Sequence, residues 1–390
     1  MRYIFLMLTP LLLMAEDIDT LYDRVTQSNF YKSKSETLSS NLEASKSSLY
    51  SEGWSLGANV GQSQGRDSGV ESGLEFGISL SKDFKLNGSS VDALIKNRQS
   101  YVQNSKKIEK NRLKTKLWQL YGNYCITMEA LQARGELASV YDTISKHIDK
   151  GVEYGEFDAS KSIMANLALE NMNLQISKLE NATQNYEVEI KKLVPFDSQF
   201  VCKRLRPNIE NLFKPEYSAL YPMLQKQIEI KKEELAIASA RVPKINLGAS
   251  YSNELDTDKY MLNISIPLAY GEKTQASRVS AMHALNASNY ELEMFRNNYV
   301  QESTAMQKRL NIYRRYLKES DRLIRESSNK LIEQSNMRFR AGEESLISML
   351  KATETKVQMI QTILELKIDR HNAVAQYMYN YAIDPQGVSK

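Results

Sequence analysis

The chain has 390 residues, with 51 Lys and Arg against 47 Asp and Glu, a net charge of +4. The 42% hydrophobic content excludes a disordered tail, and the near-neutral charge leaves no basic field for nucleic acid. Glycine and proline are scarce outside a few short stretches, which favours long helices in a chain sized for two ordinary domains.

At the N-terminus, "MRYIFLMLTPLLLMAEDID" places Arg2 before a short apolar run and a small residue, Ala15, after it. This pattern predicts a secretory signal over residues 1–15. The run is too short to span a bilayer, and no later segment offers about 18 consecutive apolar residues. An exported chain without a transmembrane helix is expected.

Residues 16–194 form a first repeat. After a helix, "WSLGANVG" alternates Trp54, Leu56, Ala58 and Val60 with Ser55, Gly57, Asn59 and Gly61. "SGLEFGISLS" then alternates Leu74, Phe76, Ile78 and Leu80 with small and polar residues. Period-two patterning predicts a strand hairpin over about 54–82 with one apolar face. A long helix follows to about Lys150, with Leu113, Leu117, Leu120, Tyr124, Met128 and Leu131 at spacings of three and four. At about 60 residues it would be about 90 Å long. A turn near 151–158 breaks it, and a helix returns over Ala159 to Leu193. Prolines mark 195–222 as a linker.

Residues 223–383 repeat the order. The hairpin lies at about 244–267, with Ile245, Leu247, Ala249 and Tyr251 in its first strand and Tyr260, Leu262, Ile264 and Ile266 in its second. A long helix carries Tyr299, Met306, Leu310, Tyr313, Leu317 and Leu331 to a turn near 341–345. The returning helix reaches about Tyr381, and 384–390 is a tail. "SLGANV" aligns with "NLGASY", an internal repeat of about 190 residues. Narrow apolar stripes on charged helices predict a coiled-coil-like array.

Four strands cannot close a barrel, for which about eight is the minimum. Their faces suit a membrane barrel, apolar outward and small and polar inward. Closure then requires other copies of the chain; three copies give twelve strands, although the pattern alone does not separate three from two or four. Trp54, Leu56, Phe76, Ile78, Leu247, Leu262 and Ile264 are expected to face lipid. Cys125 and Cys202 fit neither a metal site nor a redox pair. His147, His283 and His371 are expected on helix surfaces. No catalytic, cofactor or metal constellation is found, so no enzyme is expected.

"YPMLQKQIEIKKEELAIASARVPKINLGASYS" and "RFRAGEESLISMLKA", with Gly155 and Ala165 echoed by Gly342 and Ala352, resemble the TolC-type outer-membrane efflux family over nearly the whole chain. The resemblance implies a mostly α fold with a small β part. Three protomers would form a 12-stranded outer-membrane barrel continued by a periplasmic α-helical barrel, with most of the mass in the periplasm. It implies a passive exit duct in a homotrimer, served by a periplasmic adaptor and an inner-membrane pump of the RND type, with no cofactor. The two glycine breaks would be periplasmic tips, and Tyr154, Gly155, Glu156, Asp158, Arg338, Arg340, Gly342, Glu343 and Glu344 would form the tip turns and dock the adaptor. Some relatives narrow the entrance with aspartates six and nine positions after the second tip glycine. Here Ser348 and Lys351 occupy those positions, and Lys161 and Met164 occupy them in the first copy, so a lumen constriction would be positive. The alternatives are the channel of a type I protein secretion system and an exported coiled-coil interaction rod.

Overall fold

The computed structural model describes residues 17–49, 53–63, 73–86, 88–195, 201–203, 205, 209–242, 244–254, 257–267 and 271–388. The expected signal at 1–15 lies outside them. In chain order the elements are α1 (Ile18–Arg24), α2 (Asn29–Leu49), β1 (Ser55–Ser63), β2 (Gly73–Lys85), α3 (Gly88–Glu153), α4 (Ala159–Leu193), α5 (Ile209–Leu212) and α6 (Leu220–Ala238). There follow β3 (Lys244–Glu254), β4 (Thr257–Ser265), α7 (Glu272–Leu323), α8 (Asn329–Arg340), α9 (Leu346–Asn380) and α10 (Pro385–Val388). The fold is mostly α with one four-stranded antiparallel sheet.

The chain divides into two units. The first comprises the described residues of Met1–Ser33, Ile108–Ala219 and Asn298–Lys390. Its core is built in layers, each taking side chains from α3, α4 and α9. Ala130, Leu179 and Leu364 form one layer, and Leu137, Met172 and Val357 the next. Ile144, Ala165 and Met349 meet in a third. The α3 members advance by seven residues while the α4 members retreat by seven. A sustained seven-residue repeat is the seam of a coiled coil, and its mismatch with 3.6 residues per turn makes the helices wrap left-handedly.

Besides Met128, expected on the apolar stripe of α3 but exposed, two features of this unit depart from the sequence expectation. His371 is buried on α9, its ring stacked on Trp118 at 3.8 Å and its Nε2 3.0 Å from the Trp118 carbonyl. It occupies the heptad position of Val357, Leu364 and Met378, so the seam carries it inside. Burial pushes its pKa down to about 4, against the opposing bond to Trp118, so near neutral pH the imidazole stays uncharged. A methyl group at Gly122 of α3 would overlap the imidazole, which explains a glycine in mid-helix.

The second departure lies between α7 and α8, where Ile324–Ser328 forms one π turn. A π turn admits one extra residue, about 100° of rotation, so the buried stripe moves on by one position. Tyr299, Met306 and Leu310 are buried before it and Ser335 and Phe339 after it, while Leu331 is turned outward.

Cys125 of α3 is bonded to Cys202, with Cα atoms 5.5 Å apart. The Tyr121 hydroxyl, one helical turn earlier, accepts from the Lys203 N–H at 2.9 Å and donates to the Val201 carbonyl. The inter-repeat segment is thus held on both sides of Cys202. A disulfide of this kind persists in oxidising compartments.

The second unit comprises the described residues of Lys34–Lys107 and Leu220–Asn297. It contains the sheet, α2 and α6. Arg98 reaches Glu234 at 2.9 Å, and Lys106 donates to Ser39 at 2.7 Å.

Candidate functional site

The sheet order is β1-β2-β3-β4, every neighbour antiparallel. Directly paired residues share a face, so the register sorts the side chains. Leu56 pairs with Leu80, which pairs with Ala249, which pairs with Leu262. Val60–Phe76 and Ile78–Tyr251–Tyr260 lie on the same face, as do Leu247 and Ile264. The four apolar rows therefore form one continuous face. It is open to solvent in the single chain: Leu262 is 87% exposed and Val60 77%, and Trp54, Leu56, Phe76, Ile78, Leu247 and Ile264 are also exposed.

The opposite face is small and polar. Gly57 faces Ser79, Asn59 faces Gly77, and Ser81 faces Gly248, which faces Asn263. A methyl group at Gly57 or Gly77 would strike the Ser79 hydroxyl or the Asn59 amide. The glycines leave room for short polar side chains to lie across the strands. Within the chain, β1 pairs only with β2 and β4 only with β3, which leaves two nine-residue edges open among the described residues. Long edges of this kind are ready to pair with another chain.

In the first unit, the two helix reversals share one construction. Gly155 ends α3 and Gly342 follows α8, each with φ of +74°. At the first, the Gly155 N–H donates to Val152 O and the Glu156 N–H to Gly151 O. At the second, the Gly342 N–H donates to Phe339 O and the Glu343 N–H to Arg338 O. Both are Schellman caps, which need a left-handed residue where glycine carries no Cβ penalty. Three residues after each glycine comes the N-cap of the returning helix. Asp158 accepts from the Ser160 N–H at 2.8 Å, and Ser345 accepts from the Ser348 N–H at 3.3 Å. Four residues thus close one helix and open the next.

Tyr154 (79% exposed), Glu156, Arg338, Arg340 and Glu343 are exposed around the turns. Glu344 is half-buried and accepts from the Ser335 hydroxyl at 3.2 Å. Asp158 serves as the α4 cap, and the Ser160 bonds hold its carboxyl below the usual aspartate range. Ser348 and Lys351 are exposed on α9. The Lys161 ammonium lies 5.0 Å from the Phe157 ring centroid, and Met164 is exposed. Phe157 and Phe339, which carried no sequence signal, stack at 6.2 Å, with His147 edge-on to both. Beside them Ser139, Thr143, His147, Asn336, Phe339 and Arg340 line an open cleft of about 560 Å³.

Among the described residues no cluster of His, Cys, Asp or Glu is arranged to hold a metal ion. No described helix is long and apolar enough to cross a membrane, which says nothing of a β-barrel.

No protein-family profile matches the chain, and no curated protein matches it. Solved structures do. The outer membrane channel CmeC of Campylobacter jejuni aligns with a TM-score of 0.71 at 15% identity, over 94% of this chain and 85% of CmeC. The open-state outer membrane channel MtrE of Neisseria gonorrhoeae gives 0.71 at 13%, over 96% and 90%. The outer membrane protein VceC of Vibrio cholerae gives 0.70 at 11%, over 94% and 96%. The chain has the fold of the TolC-type outer-membrane channels.

Proposed function

We propose that this chain is the outer-membrane exit duct of a tripartite efflux system. The observation that carries this reading is the sheet: one face continuously apolar and exposed, the other small and polar, with both edges open. Packed against lipid, the apolar face loses its contact with water, and the polar face lines a water-filled lumen. Three copies joined edge to edge supply twelve strands and leave no free edge. The helical part then extends into the periplasm, where the tip turns meet an adaptor that links the duct to an inner-membrane pump. The duct itself performs no catalysis; the pump supplies the energy.

The sheet also disfavours a water-soluble interaction rod, which would have no use for this exposed apolar face. The test is conductance in planar bilayers. The purified chain is expected to give discrete steps, and a protein that inserts without conducting would overturn the duct. If Ser348 and Lys351 line the entrance, each copy adds a positive charge there, and Lys351→Asp raises cation selectivity. Unchanged selectivity would remove Lys351 from the constriction. Sensitivity of a deletion strain to metals, dyes and antibiotics, and loss of a secreted polypeptide, would separate the substrate classes.

A further inference from the structure

The apolar face carries two charged residues among the described strand positions, Lys82 and Asp258, and they are treated differently. Asp258 accepts from the Tyr251 hydroxyl at 2.8 Å and the Asn253 amide at 2.9 Å. Lys82 has no carboxylate partner among the described residues. Its ammonium sits over two rings instead, 5.2 Å from the Trp54 centroid and 5.4 Å from that of Phe84. On the opposite face, the next residue, Asp83, is paired with Lys244 at 2.5 Å and Asn246 at 2.7 Å. The chain thus pairs the charge that faces the polar side and leaves the neighbouring cation open on the apolar side.

The two charges lie near opposite ends of the apolar band, each one alternation step inside the last apolar residue of β2, Phe84 at one end and Leu74 at the other. Lys82 lies opposite Leu247, at the end where β2 runs on into α3, and Asp258 lies opposite Asn253. Along β2 the apolar row from Leu74 to Phe84 covers about 34 Å at about 3.4 Å per residue, or about 26 Å of height at a strand tilt of about 40°, close to the outward apolar height of about 25 Å in membrane barrels. Lys82 is therefore one alternation step inside one rim of that band, beside Trp54, a ring of the kind that settles at headgroup level, and its long stem can carry the ammonium to that rim.

We propose that Lys82, framed by Trp54 and Phe84, binds the headgroup phosphate of an anionic phospholipid in the leaflet at the helix-joined end of the sheet. This rests on the reading that the apolar face meets lipid. The ammonium supplies the charge, and the rings hold it at the rim while their edges meet the acyl chains.

The test counts phosphatidylglycerol bound to the detergent-extracted full chain by native mass spectrometry. Lys82→Gln is expected to weaken retention about fivefold. Lys82→Arg should hold lipid like the wild type, and Lys259→Gln, on the polar face, should leave it unchanged. Equal retention by Lys82→Gln and wild type overturns the site, as does displacement of the lipid by excess inorganic phosphate, which would mark a free-anion site. A second measurement needs no variant. Trp118 is buried, so exposed Trp54 reports quenching by brominated lipid. Brominated phosphatidylglycerol should quench it more than brominated phosphatidylcholine, and equal quenching contradicts the proposal. A wild-type chain absent from the membrane fraction removes the lipid-facing reading and this site together. A membrane-inserted chain whose lipid ignores Lys82 removes the site alone.

Discussion

The sheet and the helix tips place the same kinds of side chain in opposite surroundings. At the tips Ala165 and Met349 are each 1% exposed, Phe339 and Leu346 are buried with them, and Arg338, Arg340 and Glu343 face solvent. In the sheet Leu56, Val60, Leu74 and Leu262 are turned outward, while short polar side chains lie close against glycines of the neighbouring strands. Water drives the first arrangement through apolar burial. The second has no such driving force in water; it is favoured where that face meets apolar surroundings, as the lipid contact proposed above supplies. On the proposed reading, one chain carries the signatures of two solvents.

Substitutions at matched positions sharpen this contrast. The largest effect is expected at the tip core, where Met349→Ala should cost roughly 2–5 kcal/mol, read as the loss in denaturant unfolding followed on the helical signal. An equal truncation at exposed Leu262 should be nearly silent in that assay. Next comes charge on the apolar face. Leu262→Arg should cost about 2–4 kcal/mol at the bilayer midplane and reduce assembled protein in the membrane fraction. Phe76→Arg, level with Asp258 toward one end of the band, should cost less, and Ser79→Arg on the polar face should be better tolerated than Leu262→Arg. Equal losses at the two faces would contradict the facing.

Smaller effects separate the two tips. Gly155→Ala and Gly342→Ala each place a Cβ in a left-handed backbone, at about 1–2 kcal/mol, and should cost alike because φ is the same at both. Their caps differ in chemistry. Ser345→Ala should cost about 1 kcal/mol at any pH. The Asp158 carboxyl is held below its ordinary pKa, so its capping is complete above the ordinary aspartate value of about 3.9 and fades as the pH falls through the lower folded value. Hydrogen exchange at low pH should therefore open the start of α4 before the start of α9. Simultaneous opening would show that Asp158 does not control its helix.

Much of this contrast can be read in the sequence, because period-two alternation maps directly onto sheet faces and a glycine between helical runs marks a reversal. The rows from Leu56 to Ile264 and the turns at Gly155 and Gly342 needed no tertiary information. Other features did. A π turn leaves no compositional mark, so the outward turn of Leu331 follows only from the helix as folded. His371 reads as a surface residue until the register of Val357, Leu364 and Met378 places it in the seam. Pairing of Cys125 with Cys202, 77 residues apart, depends on where the inter-repeat segment docks. Lys82 continues the alternation of Leu74 to Leu80 by one step, but its two ring contacts come from separate points on the hairpin.

The most direct test of the central claim, that the sheet's apolar face meets lipid and its edges meet other copies of the chain, is the location and mass of the extracted protein. A trimer recovered from the outer-membrane fraction only with detergent is the expected result. A monomer that stays soluble in the periplasmic fraction without detergent would contradict it.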